Sequence, residues 1–506
     1  MKQRKFWETS LVIILLGFWV YLLWWKWQLG LKRYFDVDEF AYLHWGHNLA
    51  SGKLPYLDFF SYSTPGFLWL VAPLFLLGSG ITPVLASRIL AFAIFTALGG
   101  LLAYLFWQTR KSWWGAVLAA TILAFLPLPA DKFLELRPDN PAILLSLLGL
   151  ISQIGWMRTG RRKLALLAGA AYGLSILVLP KTLPNVAVGV FVALFSTRTK
   201  TMLRQMLMFF SGLAAPMAIF GLWVVGVSLG NASNFTKIIY SITRLPFEIN
   251  AISRYFAMRP DLFFYPNSIF YGQGGVSVGL IANHAFWLVG LLWGSWRLFT
   301  LFLAQNRKLW REEILIAGNL FIQVFFYINF FPMRHTQYLI PIAVFIAFYV
   351  ADALVVLIRK MGEIREIGGI REIGGIGILI LAAWGMVAVN QAVNQPKLQA
   401  DNREQLALMR RIWQTVPRGE YLMDITGQTI YYRDPYYISA LPPGQFRALM
   451  SKPPPTLAGE LERTGTKYVY LGNRGETIDR SDQEYLETKF VFDPATSLWI
   501  KYQSDQ

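Results

Sequence analysis

The sequence predicts a polytopic all-α membrane protein of about eleven transmembrane helices with added interfacial helices, ending in a small α/β domain outside the bilayer. Three observations carry this. The 506 residues are 55% hydrophobic and only 15% charged, too apolar for a soluble protein of this length. Many apolar stretches reach the roughly 20 residues that a helix needs to cross a hydrocarbon core of about 30 Å. No water satisfies open backbone groups in that layer, so such a stretch must be helical. After residue 391 the composition shifts to polar residues, prolines and short β-prone runs.

The first span is 9–27, preceded by Lys2, Arg4 and Lys5. It lacks a small-residue cleavage signature and reads as a retained anchor. An outer loop, 28–65, leads into "PGFLWLVAPLFLLG" at 65–78, too short to cross and therefore an interfacial or re-entrant helix. The next spans are 84–107, 113–129, 141–157, 164–180, 183–197, 206–228, 284–304, 313–331, 337–358 and 373–390. With the amino terminus in the cytoplasm, Arg110 and Lys111, Arg158 to Lys163, Arg198 to Arg204, Arg307 to Arg311, and Arg359 and Lys360 all fall inside, as the positive-inside rule requires. A crossing by 65–78 would scatter them outward. The regions 28–65, 130–140, 229–283 and everything after 391 then lie on the outer face of a cell membrane. "REIGGIREIGGIG", 365–377, is a local duplication in a cytoplasmic linker. The chain thus divides into a transmembrane domain, 1–391, and an extracytoplasmic α/β domain, 392–506. In the latter "NREQLALMRRIW" has helical spacing and "KYVYLG" and "KFVFD" strand character.

The formal net charge is +17, but the basic residues sit in short clusters between spans and form no broad face for nucleic acid. There is no cysteine, which excludes disulfides, thiolate zinc sites and cysteine nucleophiles. No phosphate-binding glycine loop or dinucleotide fingerprint is present.

Charged groups at the rim of apolar helices are costly unless they pair, reach water or do chemistry. Asp38 and Glu39 open an interfacial helix just after the first span, where carboxylates also favour a helix start. Arg137 and Asp139 lie in "ELRPDNPAILL", with Asp139 or Asn140 placed to cap the fourth span and Pro141 in its first turn. Arg334 and His335 sit between the ninth and tenth spans, and Lys53, Tyr56 and Asp58 follow in the first loop. On one helix His47 is nine residues from Asp38, on the opposite face at about 100° per residue. His44 also misses that face, so a three-ligand zinc site is not expected here.

"DVDEFAYLHWGHNLASGKLPYLDFFSYSTPGFLWL" resembles the first outer loop of the polyprenyl-phosphate-sugar-dependent glycosyltransferases of the GT-C superfamily, which include aminoarabinose transferases, protein O-mannosyltransferases and rhizobial galacturonosyltransferases. The matching positions are Asp38-Glu39, Tyr42, Gly52 to Tyr56, Pro65 and Arg88. Further on, Arg137-Pro138-Asp139 and Arg334 with Tyr338 and Pro341 resemble the family's later signatures. The resemblance implies a sugar donor carried on polyprenyl phosphate, an extracytoplasmic acceptor (lipid, glycan or protein), and inversion in a single displacement. It implies that Asp38, with Glu39 beside it, is the general base or acceptor-orienting group, that Asp139 supports a sugar, and that Arg334 holds the leaving phosphate, with Arg88 or Lys53 in reserve. Arg137, Tyr56, Tyr338 and His335 are substrate-contact candidates. A divalent cation beside Asp139, used by some relatives, is not securely implied, so the cofactor is unassigned. The aminoarabinose branch often has a lysine before the proline-led helix, where this chain has Ser63 and Thr64. The competing reading is a transporter or flippase of lipid-linked glycans. That class places ionisable groups near the midplane and often shows internal repeats, whereas here the charges gather at one edge.

Overall fold

A computed structural model of the chain describes residues 2–127, 129, 131–195, 200–245, 247–248, 275–330, 336–364, 371–395, 398–440, 447 and 450–502. The helices before the tail are α1 (Lys2–Lys32), α2 (Val37–Ala50), α3 (Pro65–Val71, continued as a 3-10 turn over Ala72–Leu77), α4 (Thr82–Arg110), α5 (Trp113–Phe125), α6 (Asp139–Thr159), α7 (Arg162–Val178), α8 (Leu183–Phe195), α9 (Lys200–Ser228), α10 (Ala232–Thr243), α11 (Gly275–Leu303), α12 (Arg307–Asn329), α13 (Ile340–Ile364) and α14 (Arg371–Asn394). Each of the eleven expected spans falls on one of these helices. Among the described residues, six helical stretches have both the length and the apolar composition to cross a membrane: Thr9–Lys32, Thr82–Arg110, Asp139–Thr159, Leu203–Ser228, Ala282–Leu303 and Gln337–Lys360. Four of the other five differ for visible reasons. α5 and α8 have 13 residues each and α7 has 17, while α12 opens on a charged turn containing Arg311, Glu312 and Glu313.

The central α13 is buried along most of its apolar length, where Phe345 and Tyr349 join Leu102 and Leu105 of α4, Ile122 of α5, Leu147 of α6 and Leu315 of α12 in one core. Buried ion pairs tie the opposite end of the bundle. Arg110 binds Glu313 at 2.9 Å and Asp352 at 3.0 Å, and Arg158 binds Glu312 at 2.5 Å. The basic residues expected at the inner edge therefore also clamp α4 and α6 to α12 and α13.

α7 and α9 pack backbone to backbone because their contact is built of small residues, as apolar helices require when close approach has to supply the attraction. Gly169 and Gly173 on α7 are four residues apart, and a Cβ on Gly169 would lie 1.9 Å from the Phe209 carbonyl oxygen. Gly212 on α9 faces the Leu166 carbonyl with the same lack of room, at 2.3 Å. Gly169→Val is expected to separate the pair and destabilise the protein by about 1–3 kcal/mol, the usual cost of overpacking, read as a fall in the thermal midpoint in detergent. Gly221→Val on α9, where a Cβ meets nothing within 4 Å, serves as control.

The tail contains α15 (Arg403–Thr415), α16 (Leu457–Thr464) and α17 (Arg480–Lys489) against a four-stranded sheet of β1 (Leu422–Asp424), β2 (Tyr468–Tyr470), β3 (Phe490–Asp493) and β4 (Leu498–Lys501). The strand order is β1-β2-β4-β3, with β1 parallel to β2 and the other pairs antiparallel. The helix and strand runs expected in the tail fall on α15, β2 and β3. Its apolar side does not close on itself. Met423, Ile425, Val469 and Leu471 share one core with Phe35, Phe40, Phe59 and Phe60 of the first loop. At that seam Gly427, with φ +79°, lies so close to α2 that a Cβ would stand 2.9 Å from the Ala41 backbone.

Candidate active site

α2 starts with a capping box that the sequence signals as Asp36-x-x-Glu39. Asp36 accepts from the Asp38 N–H at 3.0 Å and Glu39 accepts from the Asp36 N–H at 3.1 Å. This turns Glu39 inward, where it is fully buried and also accepts from Arg88 at 2.6 Å and from the Leu136 N–H at 2.9 Å. Arg88 gives its other bonds to the carbonyls of Gly30 and Tyr34, at 2.9 and 3.0 Å, and lies over the Phe35 ring. Glu39 and Arg88 thus spend their charges on each other and on the loop.

Asp38, one residue earlier on the helix, points elsewhere. Its side chain is 28% exposed, the most open of this carboxylate group, and one oxygen accepts from Arg137 at 3.0 Å. Arg137 also binds Glu135, and Asp36 at 3.4 Å. Lys132 binds Glu135 at 2.8 Å and Asp36 at 3.3 Å, while Arg33 binds Glu135 at 2.6 Å and lies 3.6 Å from Asp131. Burial alone would raise the Glu135 carboxyl, but Arg137, Lys132 and Arg33 hold it well below the usual carboxylate range. Asp36 is lowered in the same way: Lys132 and Arg137 outweigh its burial.

The loop carrying Arg137 is pinned from the helix that follows. The Asn140 amide donates to the carbonyls of Lys132, Phe133 and Glu135 at 3.1–3.2 Å. The expected side-chain cap at Asp139 or Asn140 is not formed. α6 begins at Asp139 with Pro138 before it and no side-chain cap bond, so both residues already lie inside the first turn.

Asp139 is buried and lines a cavity with Ile143, Leu179, Lys181, Thr182, Gln323, Tyr338 and Pro341. Three positions from separate parts of the sequence expectation, Asp139, Tyr338 and Pro341, therefore meet. Lys181 joins them, its ammonium 3.8 Å from the centre of the Tyr338 ring, a cation–π contact. Sequence reading missed Lys181, although a signal exists: a lone lysine in a two-residue outer link between apolar spans runs against the positive-inside pattern. Arg334 and His335 lie outside the described residues. Among the described residues no group of three or more metal-ligating side chains could hold an ion.

Lys53 and Tyr56 serve the seam with the tail. Lys53 donates to Asn48 at 2.9 Å and lies 4.0 Å from Asp434. Tyr56 is buried with φ +68°, donates its hydroxyl to the Ser63 carbonyl at 2.7 Å, and accepts at its own carbonyl from Tyr437 at 2.8 Å. His44 has an acceptor at each ring nitrogen, the Ile430 carbonyl and the Asp434 carboxylate, both at 2.8 Å, an arrangement that suits the imidazolium. Burial lowers its pKa, but Asp434 outweighs burial and the net shift is upward. A raised folded value means the contribution to docking is complete below the unfolded value of about 6.5 and is lost as pH rises through the folded value. The tail is therefore expected to become more open to trypsin as pH rises above neutrality, and His44→Gln to flatten that dependence. An unchanged pH profile in the variant would remove His44 from the latch.

No family model matches the chain, and no curated protein sequence matches it. Solved structures do. The oligosaccharyltransferase of Archaeoglobus fulgidus in its apo form aligns over 99% of this chain and 75% of its own, with TM-score 0.54 and 14% identity. The same protein, AglB, with an inhibitory peptide and a dolichol phosphate aligns over 99% and 75%, with TM-score 0.52 and 13% identity. ArnT from Cupriavidus metallidurans bound to undecaprenyl phosphate aligns over 84% of this chain and 85% of its own, with TM-score 0.56 and 14% identity. The chain thus shares its fold with these oligosaccharyltransferase and ArnT structures.

Proposed function

Given a GT-C fold, we propose that this protein transfers a sugar from a polyprenyl-phosphate-linked donor to an acceptor hydroxyl or amide outside the membrane. The observation that carries this is Asp38, a partly open carboxylate held by Arg137, in a chain whose structural neighbours include one bound to undecaprenyl phosphate and one to dolichol phosphate. Asp38 takes the acceptor proton as the acceptor attacks the anomeric carbon. The bond from that carbon to the phosphate oxygen breaks, with inversion, and the phosphate leaves on the lipid. Lys181, in the Asp139 cavity, and Arg334 are the cations assigned to that phosphate. Asp139 and Tyr338 face the donor sugar, while Glu39 and Arg88 hold the loop rigid. The amino terminus is cytoplasmic, all eleven apolar helices cross, and residues 392–506 form the outer domain.

The test is reconstitution of the purified protein in vesicles with labelled polyprenyl-phosphate sugars and, separately, lipid, glycan and peptide acceptors. Labelled acceptor is expected, and Asp38→Asn should lower its formation about 10²–10⁴-fold. Passage of the intact labelled lipid across the vesicle bilayer with no transferred product would replace this reading with a flippase.

A further inference from the structure

We infer that the tail completes the reactive corner, with Arg474 a positioning residue that holds Asp38 from the side opposite Arg137. The inference rests on the reading of Asp38 as the base. Arg474 lies in a 3-10 turn of the tail, Gly472–Thr477, far along the chain from the loop it faces. Its Nη1 donates to two tail carbonyls, Ile425 at 3.0 Å and Ala440 at 3.1 Å, and this clamp fixes where the other nitrogen points. Nη2 stands 4.0 Å from Oδ1 of Asp38, while Arg137 takes Oδ2. The two guanidiniums thus face different oxygens of Asp38, Arg137 through a hydrogen bond and Arg474 through charge at 4.0 Å.

The surrounding charges agree. Around this corner the carboxylates at positions 36, 38, 39, 131 and 135 form ion pairs with the cations at 33, 88, 132 and 137. Arg474 adds a cation from the tail. It faces the most exposed carboxylate of the group, whose other cation is Arg137.

Two variants separate positioning from architecture. Arg474→Gln keeps a donor for the Ile425 and Ala440 carbonyls and loses the charge, while Arg474→Lys keeps the charge. In the reconstituted transfer assay Arg474→Gln is expected to lower kcat about a hundredfold with little change in donor KM, the size of loss that misplacement of a reacting group causes. Arg474→Lys should recover most of the rate at an unchanged thermal midpoint. In an Asp38→Asn background Arg474→Gln should cause no further loss, because its effect runs through the carboxylate. Equal losses for Gln and Lys, or a full loss that persists without Asp38, would assign Arg474 to architecture alone and overturn the inference. Loss of transfer in Asp38→Asn with undiminished rate in Arg474→Gln overturns this inference and leaves the base assignment standing. Full transfer by Asp38→Asn overturns both.

Discussion

Asp38→Asn is expected to lower sugar transfer about 10²–10⁴-fold, the range that a positioned general base supplies, with little loss of stability. The reason for separating the two effects is the geometry of the pair with Arg137. An asparagine side-chain oxygen can still accept the 3.0 Å bond from Arg137, so the loop keeps its shape, but an amide cannot take a proton from the acceptor. Donor affinity should be nearly unchanged, since Asp38 is not among the residues lining the Asp139 cavity, and the loss should fall on kcat. Initial rates at saturating donor, alongside thermal midpoints in the same detergent, make the comparison. Undiminished turnover would remove Asp38 from the chemistry.

Arg88→Met is expected to produce the largest loss of stability, about 3–5 kcal/mol, because it leaves the Glu39 carboxylate buried with its charged partner gone. Both side chains are fully enclosed, so neither reaches water to recover its solvation. The double variant Glu39→Gln/Arg88→Met should be markedly more stable than Arg88→Met alone, since it removes the orphaned charge along with the pair. Thermal or denaturant unfolding in detergent reads both. If the double variant is no more stable than the single, the cost lies in packing around Phe35 and not in the charge.

Much of the fold was legible because membrane crossing imposes one dominant pattern. Helix length, apolar content and the placement of Arg and Lys located the long apolar stretches of α1, α4, α6, α9, α11 and α13 to within a few residues. The site was legible in parts. Asp38 and Arg137 meet in an ion pair, but the different surroundings of Asp38 and Glu39 were not readable, because they depend on which face of α2 each carboxylate occupies. One residue of difference sends Glu39 into a buried pair with Arg88 and Asp38 outward to Arg137. Asp36, the capping residue, was signalled by its spacing to Glu39 and passed over. The cap expected at Asp139 or Asn140 failed because the helix begins at Asp139, two residues before the Pro141 start that proline spacing suggests. Arg474 and Asp434 could not have been found, since what matters about them is a contact across most of the chain, and no local pattern encodes that.

The core shared by Phe35, Phe40 and Phe59 with Met423, Ile425 and Val469 sets an order on biogenesis. The first loop leaves the insertion machinery long before residues 420–475 are made, and until then its aromatic face has nothing to rest on. The corner holding Asp38 must therefore be the last part of the molecule to mature, only after every helix has been threaded and the tail delivered to the same side. A chain halted at any late helix would leave the Asp38 corner unfinished, and its exposed aromatics would be prone to aggregation.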